Sequence, residues 1–507
     1  MPFIMKTRRN LTLGLFACLF LLGSCTDNEF ADQKAGSSIA TKAVANTDVV
    51  LHWDKEEQNI DGFGVAQAGW ADYLYAHRKR DTVLDLMFGK DGLHLNILRG
   101  EVYSHYWKKE GDTSFYLDEE IDMPLDDPFF DIDYSADGNE AAEEMAQRKG
   151  QLWINQRVKA LYDVDKFVYS VWSPPAYMKS NGSDSKGNLK SAYYQEYADY
   201  LSAFCDAYGS VGLKPYAISP ANEPEYAASW SSCLWLPGTT TLGRFIVNNM
   251  GPTFASKQPD VKIIFGENAQ WTGILGFIMG SKNYVRDILN LNTRITNYPI
   301  IAAGHGYVDP VTKKDPAIEP FTKAESKNVP VWLTEISDPH NSYSTSIEDG
   351  LNWAVKFHRY LCEANVSSII WWAGALPDSG TNEGLIYIAK NRTDYETGKR
   401  YETFGNFTRY IPVGSRRISA EYNTDQGYMV SGYKNGNSFT AVAINTNDTE
   451  KTLDLLINNT QTTGPIVGHL TDATHKWATL DTIQPVNNTY VVTLPAKSVV
   501  TFTGNVE

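Results

Sequence analysis

Short apolar runs recur along most of the chain, at residues 60–66, 93–99, 167–172, 215–220, 261–266, 299–303, 331–334 and 367–372. Between them lie longer stretches with a helical period. Residues 193–208 place Tyr197, Leu201, Phe204 and Tyr208 at spacings of four, three and four, an amphipathic helix, and residues 347–362 repeat the pattern. Buried strands alternating with helices predict parallel β/α architecture. Eight such strands favour a (β/α)₈ TIM barrel. A doubly wound sheet is the competitor, and no Gly-rich phosphate fingerprint supports it.

The period changes after about residue 405. Segments 416–422, 427–433, 438–444, 452–457, 465–470, 489–494 and 498–503 read as strands, with a hairpin signal at Asn435-Gly436. The expected organisation is therefore a catalytic barrel over 61–404 and a side β-sandwich over 405–507, with 48–60 adding a strand to it. A β-sandwich of this kind serves as a buttress or a glycan-binding surface. The long insertion at 101–150 reads as a solvated acidic loop over the barrel mouth, without calcium-loop spacing.

The N-terminus carries Lys6, Arg8 and Arg9, then an apolar run at 11–22 and Leu22-Gly23-Ser24-Cys25. A basic head, a short apolar stretch and small residues describe an export signal, too short to span a bilayer stably. The last four residues look like a bacterial lipobox, which makes residues 1–25 a lipoprotein signal and Cys25 the lipidated residue. An ordinary secretory signal cut elsewhere is the alternative. Residues 26–47 are polar and aperiodic, a tether. The expectation is export and anchoring by lipid to the outer membrane, on the cell surface or the periplasmic face, as a monomer. Of five Cys, only Cys205, Cys233 and Cys362 would then remain in the folded part. They are widely spaced, so neither a zinc site nor a disulfide framework is indicated.

A net charge of −15 with no Lys/Arg-rich run excludes nucleic acid as a partner and suits a neutral one. Aromatic residues, 12% of the chain, suit stacking against sugar rings as well as core packing. In a (β/α)₈ barrel the residues following the strands line the active-site face. Those positions hold Arg99, Trp172, Asn222, Glu223, His305, Tyr307, Glu335, Trp371 and Trp372. Glu223, between Asn222 and Pro224 at the fourth strand, is poorly explained by packing, because Glu is rarely buried unpaired. Glu335 follows the apolar residues of the seventh.

Cleaving a glycosidic bond needs an acid at the leaving oxygen and a carboxylate across the anomeric carbon. Strands four and seven face each other across a barrel, so Glu223 would serve as acid and then base, and Glu335 as nucleophile. Asn222 would hold the sugar 2-hydroxyl. Trp371 and Trp372 point to opposite faces if the strand continues, so one lines the site; Trp371 is taken as that residue. Trp172, Tyr226, Trp230, Trp235 and Trp271 are further candidate platforms. His305 has no second His at ligand spacing, so neither a metal nor a cofactor is expected.

The chain resembles glycoside hydrolase family 30 from about residue 50 onward. The resemblance rests on Ile60-Asp61-Gly62-Phe63-Gly64, Leu95-Asn96-Ile97-Leu98-Arg99, Trp172-Ser173-Pro174-Pro175-Ala176-Tyr177-Met178-Lys179, Ser219–Glu225 (SPANEPE), Leu333-Thr334-Glu335 and residues 407–418 (FTRYIPVGSRRI). It implies a retaining enzyme with a (β/α)₈ barrel and a side β-domain, and it sets Arg99, Asn222, His305 and Tyr307 around the carboxylates. It also implies a polysaccharide or oligosaccharide substrate, with xylan first and β-1,6-galactan or β-1,6-glucan as alternatives. Glucuronoxylanases of the family carry an Arg after the eighth strand; here the segment reads Trp371-Trp372-Ala373-Gly374-Ala375-Leu376-Pro377-Asp378. The competing class is a non-catalytic surface glycan-binding lipoprotein.

Overall fold

The structure is a computed structural model that describes residues 47–104, 107, 109–112, 150–273, 280–309, 314–377, 380–389, 392–462 and 464–507. The signal, most of the tether, Cys25 and residues 113–149 of the acidic loop lie outside these.

After β1 (Val49–Asn59), eight parallel strands close a barrel in chain order: β2 (Gly62–Ala66), β3 (Ile97–Glu101), β4 (Lys166–Ser170), β5 (Ala217–Ser219), β6 (Lys262–Gly266), β7 (Ile300–His305), β8 (Val331–Ile336) and β9 (Ser368–Trp371). Each falls on one of the eight apolar runs. The helices Tyr194–Ser210 and Ile347–Cys362 fall on the two helical periods. Ile97, Val168, Ala217, Ile264, Ile301, Ala303, Trp332 and Ile370 fill the barrel interior. Trp332 donates its indole N–H to Asp61 Oδ2 at 2.8 Å and stacks on Tyr216. Gly62 is required where the chain enters β2. Its φ is +136°, and a Cβ there would lie 2.0 Å from Asn96 Oδ1, which caps the Phe63 N–H at 3.0 Å.

A small sheet, β10 (Ala373–Pro377), β11 (Gly384–Ile388) and β12 (Tyr395–Thr397), decorates the loop after β9. The C-terminal strands are β13 (Arg416–Tyr422), β14 (Tyr428–Asn435), β15 (Ser438–Asn445), β16 (Lys451–Asn458), β17 (Val467–Thr471), β18 (Ala478–Thr479), β19 (Thr489–Leu494) and β20 (Ser498–Asn505). With β1 they form one continuous nine-stranded sheet, ordered β18-β17-β20-β15-β14-β13-β1-β16-β19. The sheet folds over its own core, bringing Phe439 of β15 to 6.3 Å from Tyr490 of β19. The β14–β15 turn is one residue later than expected: Asn435 pairs with Ser438, and Gly436 has φ +58°.

The helix Lys399–Thr408 crosses the expected boundary at 404/405. It belongs to both parts: Asn406 exchanges hydrogen bonds with Thr501, while Tyr433, Val442, Ile444 and Val499 join the barrel's outer core. Cys205, Cys233 and Cys362 are free thiols. Among the described residues no helix is long and apolar enough to cross a membrane.

Candidate active site

Alternation along a strand sends every second side chain into the barrel. On β3 it carries Ile97 and Arg99 inward, and on β7 Ile301, Ala303 and His305. On β8 it would fail, because Trp332 points inward and Leu333 and Ile336 both pack outside. An extra residue solves this. Gly304 pairs with Leu333 but His305 with Glu335, and Leu333–Ile336 spans three residues against two on β9. The bulge turns Glu335 into the mouth, a recurrent use of bulges beside active sites.

Glu223 is aimed by backbone as well. It follows β5 in the left-handed region, φ +43°, and its N–H donates to the Glu267 carbonyl at 3.0 Å. Asn222, just before it, is held by its own N–H to Val171 O at 2.8 Å. Carboxylate oxygens of Glu223 and Glu335 and a ring nitrogen of His305 lie within 4.8 Å of one another.

The nucleophile candidate is held from both sides. Arg99 Nη1 donates to Glu335 Oε2 at 2.8 Å, and Tyr307 Oη to Glu335 Oε1 at 2.6 Å. Arg99 Nη2 donates to Asn222 Oδ1 at 2.8 Å and to Glu267 Oε1 at 3.3 Å. Burial raises the Glu335 carboxyl, while His305, Arg99 and the Tyr307 hydroxyl pull it down. His305 lies 3.5 Å from Glu223, 3.7 Å from Glu335 and 3.9 Å from Glu267. Burial works against its charge, but Glu335, Glu223 and Glu267 outweigh this and raise it to about 10. With Arg99 and an imidazolium already among the carboxylates, the donor set of Glu223, His305 and Glu335 does not suit a metal ion.

Seven of the expected residues thus converge: Arg99, Asn222, Glu223, His305, Tyr307, Glu335 and Trp172, whose ring lies 5.1 Å from the Arg99 guanidinium. Trp371 does not. It is fully buried outside the barrel against Trp353 and Phe357, with its indole N–H on Glu383 O at 2.7 Å. Ile370 occupies the interior position on β9, so the next inward residue is Trp372. Trp372 faces Arg99 at 5.8 Å and packs on Trp172 and on Trp70, which sequence reasoning missed. Trp235 and Trp271 are core residues, whereas Tyr226 is 47% exposed and pairs with Trp230 beside the Glu223 turn.

Two further acids were missed. Glu267 directly follows the fifth apolar run, the same signal that marked Glu335. Glu225 accepts the Ala269 N–H at 2.8 Å, and burial together with the Glu223 charge raises it to about 8. The loop after β9 carries two basic residues able to pair with a uronate, Lys390 and Arg392; Arg392 is buried and directs Nη1 at Ala76 O, 3.5 Å away. Lys390 lies outside the described residues.

Residues 46–387 match O-Glycosyl hydrolase family 30. The chain is 25% identical over 479 residues to glucuronoxylanase XynC of Bacillus subtilis strain 168, covering 92% of this chain and 94% of that one. Its fold is that of the catalytic domain of GH30 xylanase C from Talaromyces cellulolyticus, with a TM-score of 0.71, 23% identity and coverage of 90% and 99%. The endo-β1,6-glucanase BT3312 is similar at a TM-score of 0.67, 19% identity and coverage of 90% and 94%.

Proposed function

Because the chain belongs to O-glycosyl hydrolase family 30, we propose that it is a retaining, endo-acting β-glycanase with Glu223 as acid/base and Glu335 as nucleophile. The separation of the two carboxylates carries this reading. Oxygens within 4.8 Å suit the roughly 5–5.5 Å of direct attack and are too close for the roughly 6.5–9.5 Å that admits a water between.

In the first half-reaction a Glu335 oxygen bonds to the anomeric carbon as the glycosidic C–O bond breaks, and Glu223 gives its proton to the leaving oxygen. In the second, Glu223 takes a proton from water, the water oxygen bonds to that carbon, and Glu335 leaves as carboxylate. Arg99 occupies Asn222 Oδ1, which leaves Nδ2 to donate to the sugar 2-hydroxyl. The wall of Trp70, Trp172 and Trp372 offers faces to a glycone. The Tyr226–Trp230 pair beyond the acid, with Tyr226 exposed and Trp230 half-buried, offers aromatic faces past the bond to be cut, which supports endo action.

Xylan is the substrate proposed, as endo-β-1,4-xylanase or glucuronoxylanase, in keeping with the similarity to XynC. The second reading is β-1,6-glucan or β-1,6-galactan, favoured by the inward turn of Arg392 and the likeness to BT3312. Export, a lipid on Cys25, an outer-membrane location and a monomeric state complete the proposal. Purified protein offered xylan, glucuronoxylan, β-1,6-glucan and β-1,6-galactan should release oligomers from one of them. Release from none favours the non-catalytic glycan-binding alternative. Glu335→Ala should abolish turnover, and azide should restore it with a glycosyl azide of inverted configuration; undiminished activity would refute the nucleophile.

A further inference from the structure

A third carboxylate stands between the two proposed catalytic ones, and the double displacement leaves it without a task. Glu267 is fully buried at the end of β6, with φ +53° after Gly266 at φ +108°. A left-handed non-glycine costs roughly 1–2 kcal/mol, so this placement is held by its contacts. Its Oε2 accepts from Ser170 Oγ at 2.7 Å, and its Oε1 from Arg99 Nη2 at 3.3 Å. Oε1 is also 3.9 Å from His305 Nε2. Its carbonyl accepts the Glu223 N–H, and its own N–H is bound to Ala303 O, both at 3.0 Å. One residue therefore reaches Glu223 through backbone and Glu335 through Arg99 and His305.

We propose that Glu267 is a positioning residue acting as the fixed counter-ion of the site: it shares Arg99 with the nucleophile, keeps His305 an imidazolium between Glu223 and Glu335, and so sets the pH range in which that pair works. This rests on the double-displacement reading above. An undivided guanidinium at 2.8 Å would hold the Glu335 charge more tightly and blunt its attack. The charged and titratable groups facing His305 are Glu223 and Glu225 after β5, Glu267 after β6, Tyr307 on its own loop and Glu335 on β8, with Arg99 of β3 behind them. Glu267 itself faces Arg99 and His305. Although burial opposes its charge, these two cations hold its carboxyl down to about 2.

Glu267→Gln tests this, because it removes the charge and keeps the carbonyl to Glu223 and an acceptor for Ser170. Loss of one negative charge makes the mouth more positive, so both limbs of the kcat/KM–pH profile should move toward acid by about one pH unit. Glu267→Asp, which keeps the charge, should lose rate with its limbs near their wild-type positions. Wild-type limbs in the Gln variant, or an equal displacement in the Asp variant, would overturn the proposal. The His305 imidazole signals in NMR give a readout independent of turnover. His305 should be protonated at pH 8 in the wild type and lose its proton at least one unit lower in the Gln variant. A neutral wild-type imidazole at pH 8 would overturn the proposal even if the Gln variant fails to fold. Lack of hydrolysis of any polysaccharide would defeat the substrate reading and leave this titration standing.

Discussion

Arg99→Met removes the cation around which the mouth is arranged while filling much of its volume. Arg99 is 1% exposed, and its guanidinium donates to Glu335, Asn222 and Glu267 at 2.8, 2.8 and 3.3 Å. In the variant both carboxylates stay in a desolvated barrel with His305 as their remaining close cation among the described residues. Removing one partner of a buried ion pair costs about 3–5 kcal/mol. The depression of Glu267 from its ordinary range to about 2 gives an independent figure of similar size, about 3 kcal/mol at neutral pH, shared between Arg99 and His305. That contribution is present above the unfolded carboxylate range near 4.5 and is lost as pH falls through about 2. The variant lacks most of it. Burial would now push its carboxyls up, so its folded state takes up protons as pH falls from 7 and the penalty shrinks. Calorimetry should find a melting temperature roughly 3–5 °C below wild type at pH 7, and a smaller difference at pH 4.5. A gap of under about 1 kcal/mol, or one constant between pH 7 and 4.5, would refute this electrostatic account.

The two adjacent indoles after β9 should separate binding from stability. Trp372→Ala should raise KM on the cleaved polysaccharide about tenfold or more with little change in melting temperature, while Trp371→Ala should cost about 3–5 kcal/mol of stability and leave KM near wild type; the reverse assignment would restore Trp371 to the cleft. Cys25→Ala should shift the expressed protein from the membrane fraction to the soluble one, and an unchanged distribution would sink the lipid-anchor proposal.

The barrel was legible because burial on both faces makes a parallel strand a continuous apolar run. Residues 60–66 and 261–266 show this as clearly as any. The side domain was legible strand by strand, but not as one sheet, since strand order depends on long-range pairings such as β1 with both β13 and β16. The β10–β12 sheet lay hidden in a loop whose strands are short. Trp371 was misassigned for a definite reason: alternation says that the two indoles diverge, while the phase is set by Ile370, which packs in the barrel interior. Glu267 had the same local signal as Glu335, but no glycosidic step asks for a third acid, and its partners lie on other strands.

Regular geometry would not have made this site from these residues. An unbroken pleat on β8 would put Glu335 among the outer helices, and an extended chain after β5 would carry Glu223 away from Glu267. Three local departures bring the carboxylates together: the extra residue between Leu333 and Ile336, the left-handed Glu223 and the left-handed Glu267. The last two brace each other through the Glu223 N–H to Glu267 carbonyl bond. Their combined cost, a few kcal/mol by the usual price of left-handed residues, is sustained by a closed barrel in which each strand is paired on both sides. Glu223 therefore owes its aim to backbone fixed in the sheet, and Glu335 to a bulge reinforced by Arg99 and Tyr307. The motif around Glu335 placed it at the mouth for an incomplete reason: following an apolar strand puts an acid at the rim, but only the bulge turns it inward.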